Sequence, residues 1–571
     1  MDLDKLTTEQ INGFSAAEGR KALETLREES LHPMEINEAL LMQMLEHNKD
    51  TEFGRKYDFA TIHSIEEYQK RVPVSIYDDY AGDILRMVNN DEDNLITAYD
   101  IGIYCETSGS LGNPKLIPMA KDTMRIHNFY NSGICSGVKA EHLRPEWTKG
   151  RAMMLMECKT VEMKKGKEYG SLSALFMREM KPIVDKISST PFEAIFPQKD
   201  TDTRYLQARF ALAEPDLAQI SCTFLSFAAE LLRYIENYWP MLVADIEAGV
   251  INAEIRMPQE VRDTLMQKIT PMPERAAELR SIFSQGFDTP FIPKVWPKLQ
   301  LISGVGTGAF EIYEQKIRER YADDSMQFFF AGISSTEGCF SVSMDMDCKN
   351  SALLPNSMFY EFLPVDAHDD FSQIVTMDKV EVGKDYEIIM TNFNGLYRYR
   401  MRDCIRIMDK YNELPLIRFQ YRIDQVADII DDHTTEQTFT KVATDTAEQL
   451  GLDLVDYSVY PDTEAPLPRY IYLLELGKDC KNGKKEDIRR TLHENLVKYS
   501  PDIEGYMEKG IGGQTALEIL QPETYMFYYD LMALKGRNPA QIKPVHIINN
   551  EIHRRLFFKL IEKDWGNGDE Q

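Results

Sequence analysis

The residues best suited to chemistry stand in one short stretch, IGIYCETSGSLGNPKLIPMA, where an apolar run ends and Thr107, Ser108, Gly109, Ser110, Gly112 and Lys115 follow within nine residues. Small residues let backbone N–H groups converge on an anion, hydroxyls add donors, and Lys115 supplies a positive charge. A loop of this kind can cradle phosphate. It is not the P-loop, which needs GxxxxGK followed by Ser or Thr. Gly/Ser loops also serve as plain turns, so the stretch by itself leaves both readings open.

Such a loop needs rigid elements to hold it. From Tyr99 onward, the short apolar runs IGIYC, AMMLM, LQLISGV and FFFAGI end in Gly/Ser clusters, the text of buried strands that empty into functional loops. LAQISCTFLSFAAELLRYIENYW reads as an amphipathic covering helix, and MEINEALLMQMLEHN, with apolar residues three and four apart, makes residues 1–50 a helical scaffold. Around 420–435, FQYRIDQVADIIDDHTTEQTF passes from strand-like text into a helix, which marks a domain boundary. Beyond it, EQTFTKVATDTAEQLG, VDYSVYPD, RYIYLLEL and KEDIRRTLHENLVKYS read helix, strand, strand, helix. KNGKKED reads as a polar turn, and no internal repeat is found. The expected fold class is α/β: a large N-terminal body, 1–424, of β-sheets packed by helices, and a smaller C-terminal α+β domain, 425–571.

Composition narrows the functions. A net charge of −27 and a pI near 4.9 oppose attraction to nucleic acid or to anionic lipid, so neither is expected as a partner. No apolar run is long enough to span a membrane, and MDLDKLTTEQ lacks the basic-then-apolar layout of a signal peptide. The eight cysteines form no CxxC pair, so reduced, buried thiols are expected, and with them a cytoplasmic location. An acidic protein that binds a nucleotide must surround it with local cations, amides or a divalent metal.

The loop resembles TSGTTGxPK, the phosphate loop of adenylate-forming enzymes, with Leu111 in place of a threonine. More closely, the chain resembles the auxin-responsive Gretchen Hagen 3 acyl-acid amido synthetases, a branch of that superfamily. The likeness runs through TEFGRKYDFATIHSIEEYQKRVPVSIYDDYAGDILRM, RYLQARFALAEPDLAQISCTF, Trp296 and Pro297, ISSTEG, GLYRYRMRD and TTEQTF, nearly the whole chain. It implies ATP and Mg2+ as cofactors and places Gly304, Ile333, Ser334, Ser335, Thr336 and Glu337 at the nucleotide. Glu337 would hold Mg2+, since a carboxylate beside a triphosphate suits a hard cation. A solvated glutamate after a strand would carry the same text. Asp403 would accept hydrogen bonds from the ribose hydroxyls; an ion pair with Arg398, Arg400 or Arg402 is the other use of such a residue. Arg422 falls at the hinge, where a structural salt bridge is the alternative. In GRNPAQIKPVHII, Lys543 falls where a lysine on a mobile C-terminal domain would reach the α-phosphate and the reacting carboxylate.

Several positions depart from the family text, and all lie near the nucleotide. Ile333 stands where an aromatic stacks on adenine. Arg402 replaces a glycine before Asp403. In YRIDQVADIIDDHTTE, Tyr421, Asp424 and Asp431 replace glycines and Gln425 an aspartate, which stiffens a segment expected to swing. Val545 or His546 occupies the place of an arginine.

The chemistry implied is activation of a carboxylic acid as its acyl adenylate, then transfer to an amine such as an amino acid, with Lys543, Glu337 and Ser110 as catalytic groups. The acyl group is expected along KDTMRIHNFYNSGICSGV, where Arg125, Phe129, Tyr130 and Ile134 lie near one face by helical spacing, with Thr223 nearby. Core packing accounts equally for any one of them. Two alternatives are a thioester-forming acyl-coenzyme A ligase and a catalytically degenerate binding protein of the same family. Neither the particular acid nor the oligomeric state is legible.

Overall fold

The computed structural model describes residues 5–106, 115–159, 161–164, 166–307, 310–423, 426–430, 432, 434–477, 485–535, 537, 539, 542–563 and 565. The chain forms two compact units, Met1–Phe419 and Gln420–Gln571.

The first unit opens with helices Thr8–Glu29 and Pro33–Asn48. Thr7 starts the first helix with a capping box: its side chain accepts from the Gln10 amide, and the Gln10 side chain accepts from the Thr7 amide. Leu23, Leu26, Leu41, Met44 and Leu45 recur at three- and four-residue spacing and are fully buried. Gly19 meets Gly137 of a second helix so closely that a Cβ on Gly19 would lie 2.4 Å from the Gly137 nitrogen.

The centre is a four-stranded parallel sheet in the order Arg151–Leu155, Leu217–Phe224, Leu301–Val305, Gln327–Phe329. Helices Thr203–Ala213 and Leu225–Ala248 lie between the first three strands in sequence. LAQISCTFLSFAAELLRYIENYW is therefore not one helix. Its first eight residues, Leu217–Phe224, form the second strand of the sheet, and the helix starts at Leu225. The reason is visible in the burial, which alternates from Ile220 to Phe224 with the two-residue period of a strand.

A second sheet carries the hairpin Ile101–Glu106/Leu116–Ala120, with Lys167–Gly170 and Glu162–Lys164 beyond it. A seven-stranded sheet, from Ser341–Val342 at one edge to Val375–Thr376 at the other, includes Phe359–Pro364, Asp385–Thr391, Tyr399–Tyr411 and Leu414–Arg422. Arg398, just before strand Tyr399–Tyr411, is buried with Glu361 at 2.9 Å and donates to the carbonyls of Gln69 and Val72. Ser75 adds two backbone bonds to the same strand, so the segment VPVSIYDDY docks onto the sheet.

The second unit is a three-stranded sheet, Leu454–Asp462, Arg469–Leu476 and Ala516–Leu520, antiparallel for the first pair and parallel for the second. Helices Glu436–Leu450 and Lys485–Tyr499 match the expected text. Strand Ala516–Leu520 and helices Thr524–Leu534 and Glu551–Lys559 add to it. Of KNGKKED, Lys485–Asp487 are the first turn of a helix and not a turn between elements; residues 481–484 lie outside the described residues. The seven described cysteines are all buried and unbridged. Among the described residues no helix is long and apolar enough to cross a membrane.

Candidate active site

The parallel strands end, in the direction of the chain, at Leu155, Phe224, Val305 and Phe329, and ligands of open α/β sheets bind beyond such carboxyl ends. Thr223 and Gly304 occupy two of these ends. Gly304 has no room for a side chain: a Cβ there would lie 2.7 Å from Cys222 Sγ and 2.8 Å from the Cys222 carbonyl oxygen. From the fourth strand the chain passes to a tight hairpin, Ser334–Ser335 paired with Gly338–Cys339, so that Thr336 and Glu337 form its tip.

Glu337 is buried, and it is tied down on three sides. Its Oε2 accepts from Ser335 Oγ at 2.6 Å, and its own N–H donates to the same hydroxyl at 3.1 Å. Its carbonyl oxygen accepts from Asn392 Nδ2 at 2.8 Å and from Asn394 Nδ2 at 3.1 Å. Asn394 Oδ1 in turn accepts from the Ala120 amide (2.9 Å) and from Thr123 Oγ1 (2.8 Å). One fully buried side chain thus joins the Glu337 tip to the second strand of the 101–120 hairpin and to the helix that follows. The first strand of that hairpin carries Cys105. Burial and the Glu337 charge together push the Cys105 thiol up to about 12.

Strand Ile101–Glu106 leads into the loop. Thr107, Ser108, Gly109, Ser110 and Gly112 lie outside the described residues. Lys115, on the far side of the loop, is exposed, with its ammonium 5.3 Å from the centre of the Tyr77 ring. Ile333 is half-buried against the main core; its amide donates to Ser341 Oγ and its carbonyl accepts from Phe340. Ser334 is exposed and accepts from Asn131 Nδ2 at 3.1 Å.

Asp403 is buried in strand Tyr399–Tyr411 at an irregularity, where Arg400 opposes Ile389 but Cys404 opposes Glu387. Three residues face one across the ladder, and Arg402 in the middle has φ +60°, the left-handed region where a glycine costs nothing. Its amide donates to Glu387 Oε1 at 3.3 Å. Of the arginines considered as partners for Asp403, Arg398 is held by Glu361, and Arg400 by Glu387 and Asp369.

The helix thought to face the acyl group runs from Lys121 to His142 but is widened to a π-helix over His127–Ile134. Arg125, Phe129, Tyr130 and Ile134 do not share a face: at about 100° per residue Tyr130 and Ile134 already lie roughly opposite Arg125 and Phe129, and burial divides them in the same way. Arg125 is exposed and paired with Asp122, and Phe129 is 43% exposed. Tyr130 and Ile134 point inward. Tyr130 donates to Glu29 Oε1 of the first helix at 2.5 Å, and its phenol is raised by burial and by that carboxylate. Its hydroxyl is committed to Glu29 and Asn356.

In the second unit, Arg422 is exposed at the end of strand Leu414–Arg422. Lys543 is exposed between buried Ile542 and buried Val545, outside any helix or strand. Asn392 and Asn394 carry the geometry yet went unnoticed in the sequence; the signal available was TNFNG, an Asn-rich turn between two strands.

The donors suit the groups proposed for them. Among the described residues no cluster of three or more His, Cys, Asp or Glu side chains could cage a metal. A single buried carboxylate with hydroxyl neighbours fits Mg2+, which takes one or two carboxylates and fills its shell with water and phosphate oxygens.

Profiles of three family domains match the chain: the GH3 family N-terminal domain over residues 22–326, the central domain over 351–422 and the C-terminal domain over 437–552. The chain is 27% identical over 549 residues to the "Putative indole-3-acetic acid-amido synthetase GH3.9" of Arabidopsis thaliana, spanning 89% of this chain and 90% of that protein. It is 27% identical over 582 residues to the "Probable indole-3-acetic acid-amido synthetase GH3.11" of Oryza sativa subsp. japonica, spanning 94% and 95%. The solved structure of a "GH3.15 acyl acid amido synthetase" superposes with a TM-score of 0.82 at 22% identity over 95% of this chain and 96% of that one. A 2-hydroxyisobutyryl-CoA ligase in its postadenylation state shares the fold at a TM-score of 0.54 and 12% identity, over 92% and 91% of the two chains.

Proposed function

The chain belongs to the GH3 family, and from that premise we propose that it is an ATP-dependent acyl-acid amido synthetase, joining a small carboxylic acid to an amine, in the first instance an amino acid. A free carboxylate is a poor acyl donor because its leaving group would be oxide. In the first step a carboxylate oxygen attacks the α-phosphorus of ATP, the bond from that phosphorus to the bridging oxygen breaks, and pyrophosphate leaves. In the second, the amine nitrogen attacks the acyl carbon, the bond to AMP breaks, and a proton is lost from nitrogen.

The protein contributes positioning and charge. Glu337, fixed by Ser335, Asn392 and Asn394, would hold Mg2+, whose charge offsets that of the departing pyrophosphate. Asp403 receives the ribose hydroxyls, and the loop from Thr107 to Lys115 receives the phosphates. Lys543 and Arg422, carried by the second unit, belong to the same reaction, with Lys543 meeting the charge that builds on the α-phosphorus. Thr223 and Gly304, at the strand ends, border the acyl and nucleotide sites.

The observation that carries this reading is the Glu337 tip, a buried carboxylate whose backbone Asn394 ties to Ala120 and Thr123 of the segment that follows the phosphate loop. Exchange of labelled pyrophosphate into ATP across a panel of carboxylic acids tests it. Acid-dependent exchange is expected, and it stops when Mg2+ is chelated; nucleotide binding without exchange for any acid would favour the degenerate reading, which Ile333 and Arg402 support. With an accepted acid, amide is the expected product with amino acids as acceptors, and thioester formation with coenzyme A would favour the ligase alternative.

A further inference from the structure

Within the second unit, Lys543 sits on a segment that has no helix or strand of its own to hold it. What holds it is three residues further on. His546 is almost completely buried, with Nδ1 2.7 Å from Glu436 Oε1 and Nε2 3.0 Å from Asp456 Oδ1. Carboxylates accept and do not donate, so a ring that faces one on each side must carry both protons, an imidazolium. Its face lies flat on Tyr457, with ring centres 4.5 Å apart and planes 5° from parallel.

The two carboxylates come from different elements. Glu436 is the first residue of helix Glu436–Leu450, and Asp456 is in strand Leu454–Asp462. The backbone is fastened at the same place: the Val459 amide donates to the His546 carbonyl and the Ile548 amide to the Val459 carbonyl, each at 2.8 Å. Ser458 Oγ donates to the Val545 carbonyl at 2.5 Å. Ile542, Val545 and Ile548 are buried in one apolar cluster, leaving Lys543 exposed between them.

We propose that His546 is a positioning residue for Lys543: as an imidazolium bridging Glu436 and Asp456, it fixes the 542–548 segment from which the lysine reaches the reacting phosphate. This rests on the role of Lys543 given above. The charge on the ring is stable at ordinary pH. Burial pulls the imidazole down, but the charges and hydrogen bonds of Asp456 and Glu436 outweigh it and raise His546 from 6.5 to about 9. Among the described residues the phenol of Tyr457 stacks on the ring and that of Tyr525 lies near Asp456; burial holds both well above their usual value, so both stay neutral.

The test uses the full chain and the variants Lys543→Ala, His546→Gln and the double variant, each with pyrophosphate exchange and amide hydrogen exchange followed from pH 6.5 to 10. In His546→Gln we expect exchange to fall about tenfold in kcat with KM for ATP unchanged, and the amides of 542–548 to lose protection while those of strand Arg469–Leu476 keep it. The double variant should be no slower than Lys543→Ala, and the wild-type rate should drop above about pH 9 in a step absent from His546→Gln. Unchanged protection of 542–548, or losses that multiply in the double variant, would overturn the proposal while leaving Lys543 in the reaction. Full activity of Lys543→Ala would remove both.

Discussion

At the scale of single residues, the site depends on a carboxylate that is held rather than merely present. Glu337→Gln keeps the size, the amide and the Ser335 contact but removes the charge that would hold Mg2+. Pyrophosphate exchange should fall by about 100-fold or more with melting temperature little changed, a loss of transition-state stabilisation and not of fold. Arg402 makes the opposite prediction. Its left-handed backbone, φ +60°, costs an L-residue about 1 kcal/mol, so Arg402→Gly should match or exceed the wild type in thermal unfolding. A clear fall would mean that its side chain contributes more than the strain costs. Glu337 and Asp403 stand out in the sequence because their neighbours, Ser334–Thr336 and Arg398–Arg402, form a recognisable text. Asn392 and Asn394 do not, because a polar residue in a turn has no periodicity to reveal that its side-chain amide is buried and hydrogen-bonded.

At the scale of elements, the first helix and the helix Lys121–His142 approach through Gly19 and Gly137, backbone to backbone. Gly19→Ala forces a methyl into a gap of 2.4 Å, and the first unit should lose about 1–3 kcal/mol, read as a lower denaturant midpoint at unchanged slope. Ile101–Glu106 and three strands of the parallel sheet, Arg151–Leu155, Leu301–Val305 and Gln327–Phe329, were legible as short apolar runs closed by small residues. Other elements were not. Leu217–Phe224 runs without a break into a long helix, so its two-residue alternation is hidden inside an apolar stretch that also suits a helix. The π-helix over His127–Ile134 leaves no mark on composition, and the face expected of Arg125, Phe129, Tyr130 and Ile134 fails on spacing alone, since about 100° per residue sets the first two roughly opposite the last two.

At the scale of the molecule, a chain of net charge −27 needs local donors for any nucleotide it binds. The buried imidazolium adds a pH dependence whose sign follows from its position. His546 is raised in the folded state, so its contribution is full below about pH 6.5 and is lost as pH climbs through about 9. Thermal unfolding should therefore show a loss of stability across that interval which His546→Gln lacks. Every role proposed for these residues depends on activation of the acid at the innermost phosphorus of ATP. The most direct test is to supply an accepted acid labelled with 18O in its carboxylate, together with ATP, Mg2+ and an amino acid, and to weigh the nucleotide product. One labelled oxygen carried into AMP is the result expected of an acyl adenylate; label in inorganic phosphate with ADP as the nucleotide, or amide formed without AMP, would contradict it.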